Sequence, residues 1–279
     1  MTVSKTFARG LMAVAALAVG ACAETVAQKD GKKVEVLWMG QAATKITTPG
    51  GKVIVIDPFL TKNPKTPAQY KNLDALGKID LLLVTHAHGD HLGDAPELAK
   101  KNNAPMYAPA GLNQSLLTLG VLPENLVPRM NKSGTIMPIG PDIKITMVRA
   151  EHSSELVWAN PKTKTNETHV GGEPVGFIIE LKNGFKIYHM GDTGLFGDMK
   201  LIGEYYKPDL ILVPIGGHFV MSPKDAATAT NDMIRPRFSI PIHYGTFPPL
   251  KGTPAEYMAA LGNSSTKVFP INPGDKLEF

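Results

Sequence analysis

Short apolar blocks separated by turn residues run through most of this chain, and they predict strands. Lys33 to Met39 and Lys52 to Ile56 alternate or run apolar, with Pro49-Gly50-Gly51 as a turn between flanking strands. Leu81 to Val84, entered through Ile79-Asp80, is continuously apolar, the pattern of a strand buried on both faces. Ile143 to Val148, Val175 to Leu181, Phe185 to Met190, Leu210 to Pro214 and Ile240 to His243 are further strands. Helices are predicted at Asp94 to Lys101, Ser222 to Met233 and Pro254 to Leu261. In the first of these Asp94 is expected to cap, Glu97 stands three residues on, and lysines close the helix. No short repeat interrupts the pattern. Strands and helices mixed through the whole length predict one α/β domain of layered sheets and helices.

The first residues do not fit that pattern and read as an export signal. Lys5 and Arg9 supply a positive region, Leu11 to Val19 an apolar stretch, and Ala21-Cys22-Ala23 a small-residue cleavage site. The stretch is short for a bilayer span, so no transmembrane anchor is expected in the mature form. Residues 1–23 are therefore assigned to a signal peptide and 24–279 to a single domain, exported to a bacterial periplasm. Cys22 is the only cysteine of the 279 residues. It follows Val19-Gly20-Ala21, which resembles an imperfect lipobox, so a lipid anchor at Cys22 is the alternative to cleavage after Ala23. Either outcome excludes an intramolecular disulfide and a thiolate-rich metal site.

Composition narrows the class without naming a chemistry. With 43% hydrophobic and 19% charged residues, the chain is an ordinary globular protein. The formal charge is +4; once Lys5 and Arg9 leave, 27 basic residues face 25 acidic ones. That balance, with no basic run, gives no reason to expect nucleic acid as a partner.

The chemistry is carried by Thr85-His86-Ala87-His88-Gly89-Asp90-His91, directly after the apolar strand. Three imidazoles and a carboxylate within six positions form a borderline-hard ligand set suited to zinc and its neighbours. A strand end followed by a glycine-containing loop can aim His86 and His88 to one side while Asp90 and His91 face another, which would serve two adjacent metals. More ligands are then needed. His152, Asp192 and His243 stand at or soon after the ends of three predicted strands. Each alone is weak, since Gly191-Asp192-Thr193-Gly194 could be only a turn. Asp57 in Val55-Ile56-Asp57-Pro58-Phe59 either orients a ligating imidazole from behind or merely ends a strand. His218, in the Gly-rich Pro214 to Ser222 loop, and Tyr244, beside His243, are candidates for substrate contact. His189 reads as a strand histidine beside the site and His169 as an exposed loop residue.

The run His86-x-His88-x-Asp90-His91 followed by His152, Asp192 and His243 resembles the signature of the metallo-β-lactamase superfamily, over nearly all of the mature chain. His152-Ser153-Ser154, Gly191 to Phe196, Pro214 to Ala226 and Ile240 to Phe247 resemble its branch of metal-dependent hydrolases related to ascorbate-6-phosphate lactonase. The resemblance implies a four-layer αβ/βα sandwich with metals at one edge of two facing sheets. It also implies that His86, His88 and His152 hold one divalent ion, that Asp90, His91 and His243 hold a second, and that Asp192 bridges them. Zinc is the default cofactor, with manganese or iron as other candidates. Asp90 and Asp192 would then serve catalysis together with a hydroxide bridging the two ions.

The expected function is hydrolysis of an ester, lactone or amide bond in a small molecule. A phosphodiesterase of the same fold is the alternative enzyme, and β-lactam cleavage rests on nothing beyond the shared ligands. A binding protein with a structural metal is a separate class, disfavoured by the complete ligand set. A diiron electron-transfer protein is disfavoured too, because such relatives place a carboxylate where this chain has His88 and add a flavin domain.

Overall fold

The computed structural model describes residues 1–2, 33–160 and 162–279. The expected signal peptide and the Cys22 site lie outside these described residues. The strands in chain order are β1 (Glu35–Trp38), β2 (Thr44–Thr47), β3 (Val53–Ile56), β4 (Leu81–Leu83), β5 (Met106–Pro109), β6 (Arg129–Met130), β7 (Thr135–Ile136) and β8 (Ile143–Arg149). They continue with β9 (Glu155–Ala159), β10 (Asn166–Val170), β11 (Val175–Leu181), β12 (Lys186–His189), β13 (Leu210–Pro214), β14 (Phe238–Ile242), β15 (Lys267–Val268) and β16 (Lys276–Glu278). One seven-stranded sheet has the order β16-β1-β2-β3-β4-β5-β6, and a second the order β15-β14-β13-β12-β11-β8-β7. The remaining pair, β9 and β10, forms a separate antiparallel hairpin.

Strand alternation sorts the apolar side chains into three layers of core. Leu81 and Leu83 face the second sheet, while Leu82 between them faces helices on the outer side. In the same way Phe177 and Ile179, Leu210 and Leu212, and Ile240 and Ile242 fill the space between the sheets, while Ile178, Ile211 and Val213 face outward. Both faces of these strands are covered, which is why their sequences read as unbroken apolar runs. Each such side chain contributes roughly 1.5–3 kcal/mol by leaving water.

The outer layers are short helices: α1 (Ala68–Lys71), α2 (Gly89–Leu92), α3 (Ala95–Asn102), α4 (Ala110–Thr118), α5 (Met199–Tyr206), α6 (Pro223–Thr228) and α7 (Pro254–Leu261). Leu98, Ala99, Leu112 and Leu116 of α3 and α4 pack on the first sheet. Met199, Ile202, Ala226 and Tyr257 of α5, α6 and α7 pack on the second. The result is the expected four-layer αβ/βα sandwich. Both α6 and α7 start with proline after a full capping box, Ser222 with Asp225 and Thr253 with Glu256. The helix expected from Ser222 to Met233 changes at Ala229 into a π-helical segment that ends at Ile234.

Two sequence expectations fail locally. Asp94 does not cap α3; its carboxylate instead accepts from the Leu60 and Thr61 amides and the Thr61 hydroxyl, tying the loop after β3 to the helix start. Asp94 takes those partners because its φ of −88° and ψ of 5° leave the geometry an N-cap requires. His169 lies on β10 and is half-buried, where an exposed loop residue was expected. The hairpin's alternation turns its ring toward the protein. No described helix is long and apolar enough to cross a membrane.

Candidate metal centre

Strands β3, β4, β12, β13 and β14 end on one edge of the sandwich, and their loops carry the chemistry. β3 and β4 are parallel, as are β12, β13 and β14, so their carboxyl ends gather naturally. β4 feeds the His86–His91 loop and α2, β8 leads to His152, β12 to Asp192, and β14 to His243. Two ligand-like groups result. His86, His88 and His152 form one; Asp90, His91, Asp192 and His243 form the other, each with its donor atoms within 4.8 Å of one another. The groups adjoin, since the His86 and His91 rings have centroids 4.1 Å apart.

Asp192 stands between them. Its Oδ2 lies 3.0 Å from His243 Nε2 and 3.6 Å from His152 Nε2, and its Oδ1 lies 3.1 Å from His91 Nε2. The turn that delivers it passes through Gly191, whose φ of +63° suits glycine; a Cβ there would also lie 2.8 Å from Thr85 Cβ.

Second partners fix how each ring is turned. Asp57 is fully buried and accepts from the Thr85 amide at 2.7 Å, the Thr85 hydroxyl at 2.7 Å and His91 Nδ1 at 2.8 Å. His91 Nε2 is thereby left to face Asp192. Thr85 Oγ1 also lies 3.1 Å from His86 Nδ1, so one buried carboxylate supports rings of both groups. His88 Nδ1 lies 3.0 Å from His86 Nε2, while its own Nε2 faces the exposed Glu155 at 3.2 Å. That bond holds the Glu155 carboxyl below its ordinary pKa. Ser154 accepts from the Ala87 amide and donates to the Gly171 carbonyl, locking the His152 loop to the His88 loop and the hairpin end.

Electrostatics divides the rings into two kinds. Burial lowers His86 well below the ordinary histidine pKa and lowers His152 as well, so both present free lone pairs at neutral pH. Burial acts the same way on His243 and His91, but carboxylates override it. Asp192 leads in raising His243 to about 9, and Asp192, Asp57 and Asp90 raise His91 well above its usual value. Burial opposes ionisation of Asp90 and Asp192, and the facing imidazoles reverse it, holding both below the ordinary carboxylate range.

The sequence model of the Beta-lactamase superfamily domain matches residues 52–244, a stretch that contains every residue of both groups. The chain belongs to the metallo-β-lactamase superfamily. A "UPF0173 metal-dependent hydrolase" of Polaromonas sp. (strain JS666 / ATCC BAA-500) is 64% identical over 253 residues, 91% of this chain and 92% of the relative. One of the same name from Cupriavidus necator is 59% identical, over 96% of this chain and 98% of the relative. Among solved structures, the metallo hydrolase Igni18 of Ignicoccus hospitalis superposes with a TM-score of 0.74 at 32% identity, over 89% of this chain and 99% of that one.

The superfamily implies bound metal, and the donor chemistry fits. Buried His91 Nε2 and Asp192 Oδ1 face each other at 3.1 Å, yet neither makes a well-aligned hydrogen bond, an arrangement that a cation between them would satisfy. The donors are all imidazole nitrogens and carboxylate oxygens, the set that first-row divalent ions take.

All seven residues expected as ligands are thus brought together, and Asp57 sits directly behind His91. His189 is a buried strand histidine beside the site, as expected; its Nε2 bonds the Ala42 carbonyl at 2.9 Å. His218 is exposed, in left-handed backbone at φ +59°, with its ring edge-on to Phe219. Tyr244, the other candidate for substrate contact, is half-buried. Its hydroxyl lies 3.4 Å from the Ile271 carbonyl and its ring 5.4 Å from Trp38, so it is packed into the wall. Burial accordingly pushes its phenol up to about 12.

Gln41 and Glu155, the partner of His88, escape sequence reasoning. Gln41 is fully buried, with its Nε2 2.8 Å from Asp90 Oδ2 and 2.7 Å from His243 Nε2. A lone glutamine in Met39-Gly40-Gln41-Ala42 carries no spacing signal. The only available hint was the glycine before it, which marks a turn near a strand end.

Proposed function

We propose that the chain is a hydrolase working with two divalent ions on an ester, lactone or amide bond of a small molecule, in an exported protein. The observation that carries this reading is the position of Asp192, whose Oδ2 lies within 3.6 Å of a histidine of each group. His86, His88 and His152 would hold one ion, and Asp90, His91 and His243 the other, with Asp192 shared. When bound, such a pair supplies a nucleophilic hydroxide at neutral pH and positive charge where negative charge develops on the substrate. Zinc is the default for so many imidazoles, with manganese and iron as the other candidates.

The chain's own part is preorganisation. Low-pKa His86 and His152 offer lone pairs without first losing a proton, and ionised Asp90 and Asp192 supply two negative charges against the incoming cations. Asp57 holds His91 with Nε2 inward, and Glu155 does the same for His88 with Nδ1 inward. Exposed His218 and Phe219 stand on a loop tied to the centre through the Met221 amide and the Thr193 carbonyl. That loop is where substrate selection is expected to lie.

The test is a panel of lactones, esters, amides and phosphodiesters offered to the metal-replete protein, with and without chelator, beside Asp192→Asn. Turnover of a carbonyl substrate should vanish with chelator and drop by more than about 100-fold in the variant, beyond the usual cost of an outer partner. Chelator-insensitive turnover, or none, would overturn the reading. Turnover confined to phosphodiesters would overturn the bond class alone.

A further inference from the structure

The turn after β1 enters the centre from the side opposite Asp57. The Met39 amide bonds the Ala43 carbonyl and the Ala43 amide bonds the Gly40 carbonyl, closing a loop with Gln41 at its tip. Gln41 sits at φ +51°, a left-handed conformation that a glycine would adopt without strain. Its backbone carbonyl already accepts from the Trp38 indole at 3.0 Å and from the His243 amide at 2.9 Å. These bonds pin the turn, and the side chain is not needed for them.

The side chain instead ends among the donors of the second group. Its amide nitrogen lies 2.8 Å from Asp90 Oδ2 and 2.7 Å from His243 Nε2, while Oε1 is buried with no partner. An amide N–H suits the carboxylate but leaves the carbonyl stranded. The arrangement is frustrated as a hydrogen-bond network. A cation relieves the crowding on the Asp90 and His243 side, because a carboxylate oxygen, an imidazole nitrogen and an amide oxygen can all give it a lone pair. Ligand atoms about 2.0–2.2 Å from one ion lie roughly 3 Å from each other, close to the spacing seen here. A half-turn of the amide exchanges its oxygen and nitrogen with almost no change of shape.

We propose that Gln41 is an additional ligand, through Oε1, of the metal position formed by Asp90, His91, Asp192 and His243. This rests on the two-metal reading given above. It would give that position one more oxygen than the seven-residue set supplies.

Metal binding, and not turnover, is the readout. Wild type, Gln41→Met and Gln41→Glu would be titrated with Zn2+ and with Mn2+ against a chromophoric chelator, with melting curves as the folding control. Gln41→Met keeps the length and loses the oxygen; it should weaken one of two ions by about tenfold or more and leave the other unchanged. Gln41→Glu restores an oxygen and should bind at least as tightly as wild type. Equal affinities in wild type and Gln41→Met, with both folded, would overturn the proposal. So would equal losses in both variants, the outcome expected of an amide that only donates to Asp90. A wild-type protein that takes up no metal would overturn the two-metal reading itself and is read before either variant.

Discussion

Asp57 shows how much of the centre depends on a residue that would touch no metal. It is fully buried, carries three hydrogen bonds and sits at φ +47°, and His243 and Gln41 share that left-handed backbone. Three non-glycine residues held in this region around one site store strain that packing must sustain, as functional sites commonly do. Asp57→Asn removes one charge and one acceptor, so His91 loses the partner that fixes its tautomer. Metal affinity should fall about 10–100-fold in a competition titration; an unchanged affinity would show that Asp57 merely ends a strand. A pH effect belongs to the same scale. His243 is raised to about 9 and His91 is raised well above its usual value, so both hold protons at neutral pH before metal binds. A cation must displace them, so apparent affinity should climb as pH rises from 7 toward about 9. Metal added to weakly buffered protein should acidify it. A flat affinity over that window would contradict this assignment. The seven clustered ligands were legible because histidine and aspartate at strand ends are chemically conspicuous. Gln41 was not, because a single amide gains meaning only from what the fold puts beside it.

Among the elements, the hairpin β9–β10 bears most directly on the site. Gly171 follows it, and a Cβ there would lie 2.0 Å from the Ser154 carbonyl oxygen and 2.6 Å from Ala87 Cβ. Gly171→Ala must therefore push apart the loops that carry His88 and His152. It should cost about 1–3 kcal/mol in denaturant unfolding, the usual range for overpacking, and should weaken metal binding at the His86-His88-His152 group. A variant as stable and as avid as wild type would show that this contact does not position the ligands. The buried strands were easy to read: Leu210–Pro214 and the helix Pro254–Leu261 coincide with expectation residue for residue. The hairpin was missed because its burial alternates but its residue types do not: Leu156-Val157-Trp158-Ala159 runs apolar and Asn166-Glu167-Thr168-His169 runs polar. β2 was missed for another reason: Thr44–Thr47 reads as polar, and its burial comes from the sheets around it.

For the molecule as a whole, the ligands come from both halves of the sandwich. His86, His88, Asp90 and His91 follow the first sheet's β4, whereas His152, Asp192 and His243 follow strands of the second. Bonds already join the halves at this edge, among them the His243 amide to the Gln41 carbonyl, the Val175 amide to the Thr85 carbonyl, His189 to the Ala42 carbonyl and the Ala87 amide to Ser154 Oγ. Bound ions would clamp the same seam. Saturating metal at 100 times its dissociation constant should therefore stabilise the fold by about 2.7 kcal/mol per site, with chelator reversing the gain in a melting curve. No shift on either addition would mean that the folded protein binds no metal in preference to the unfolded chain. The four layers were legible because strand alternation separates three cores, whereas the seam was not, since most of its bonds have a backbone group on at least one side, whose pairing the side-chain pattern does not encode. The most direct test of the central claim is elemental analysis of the purified, metal-replete protein. About two divalent ions per chain, falling to about one in His152→Ala and in His243→Ala, is the result predicted for a two-metal site. One ion or none in the wild-type protein would contradict it.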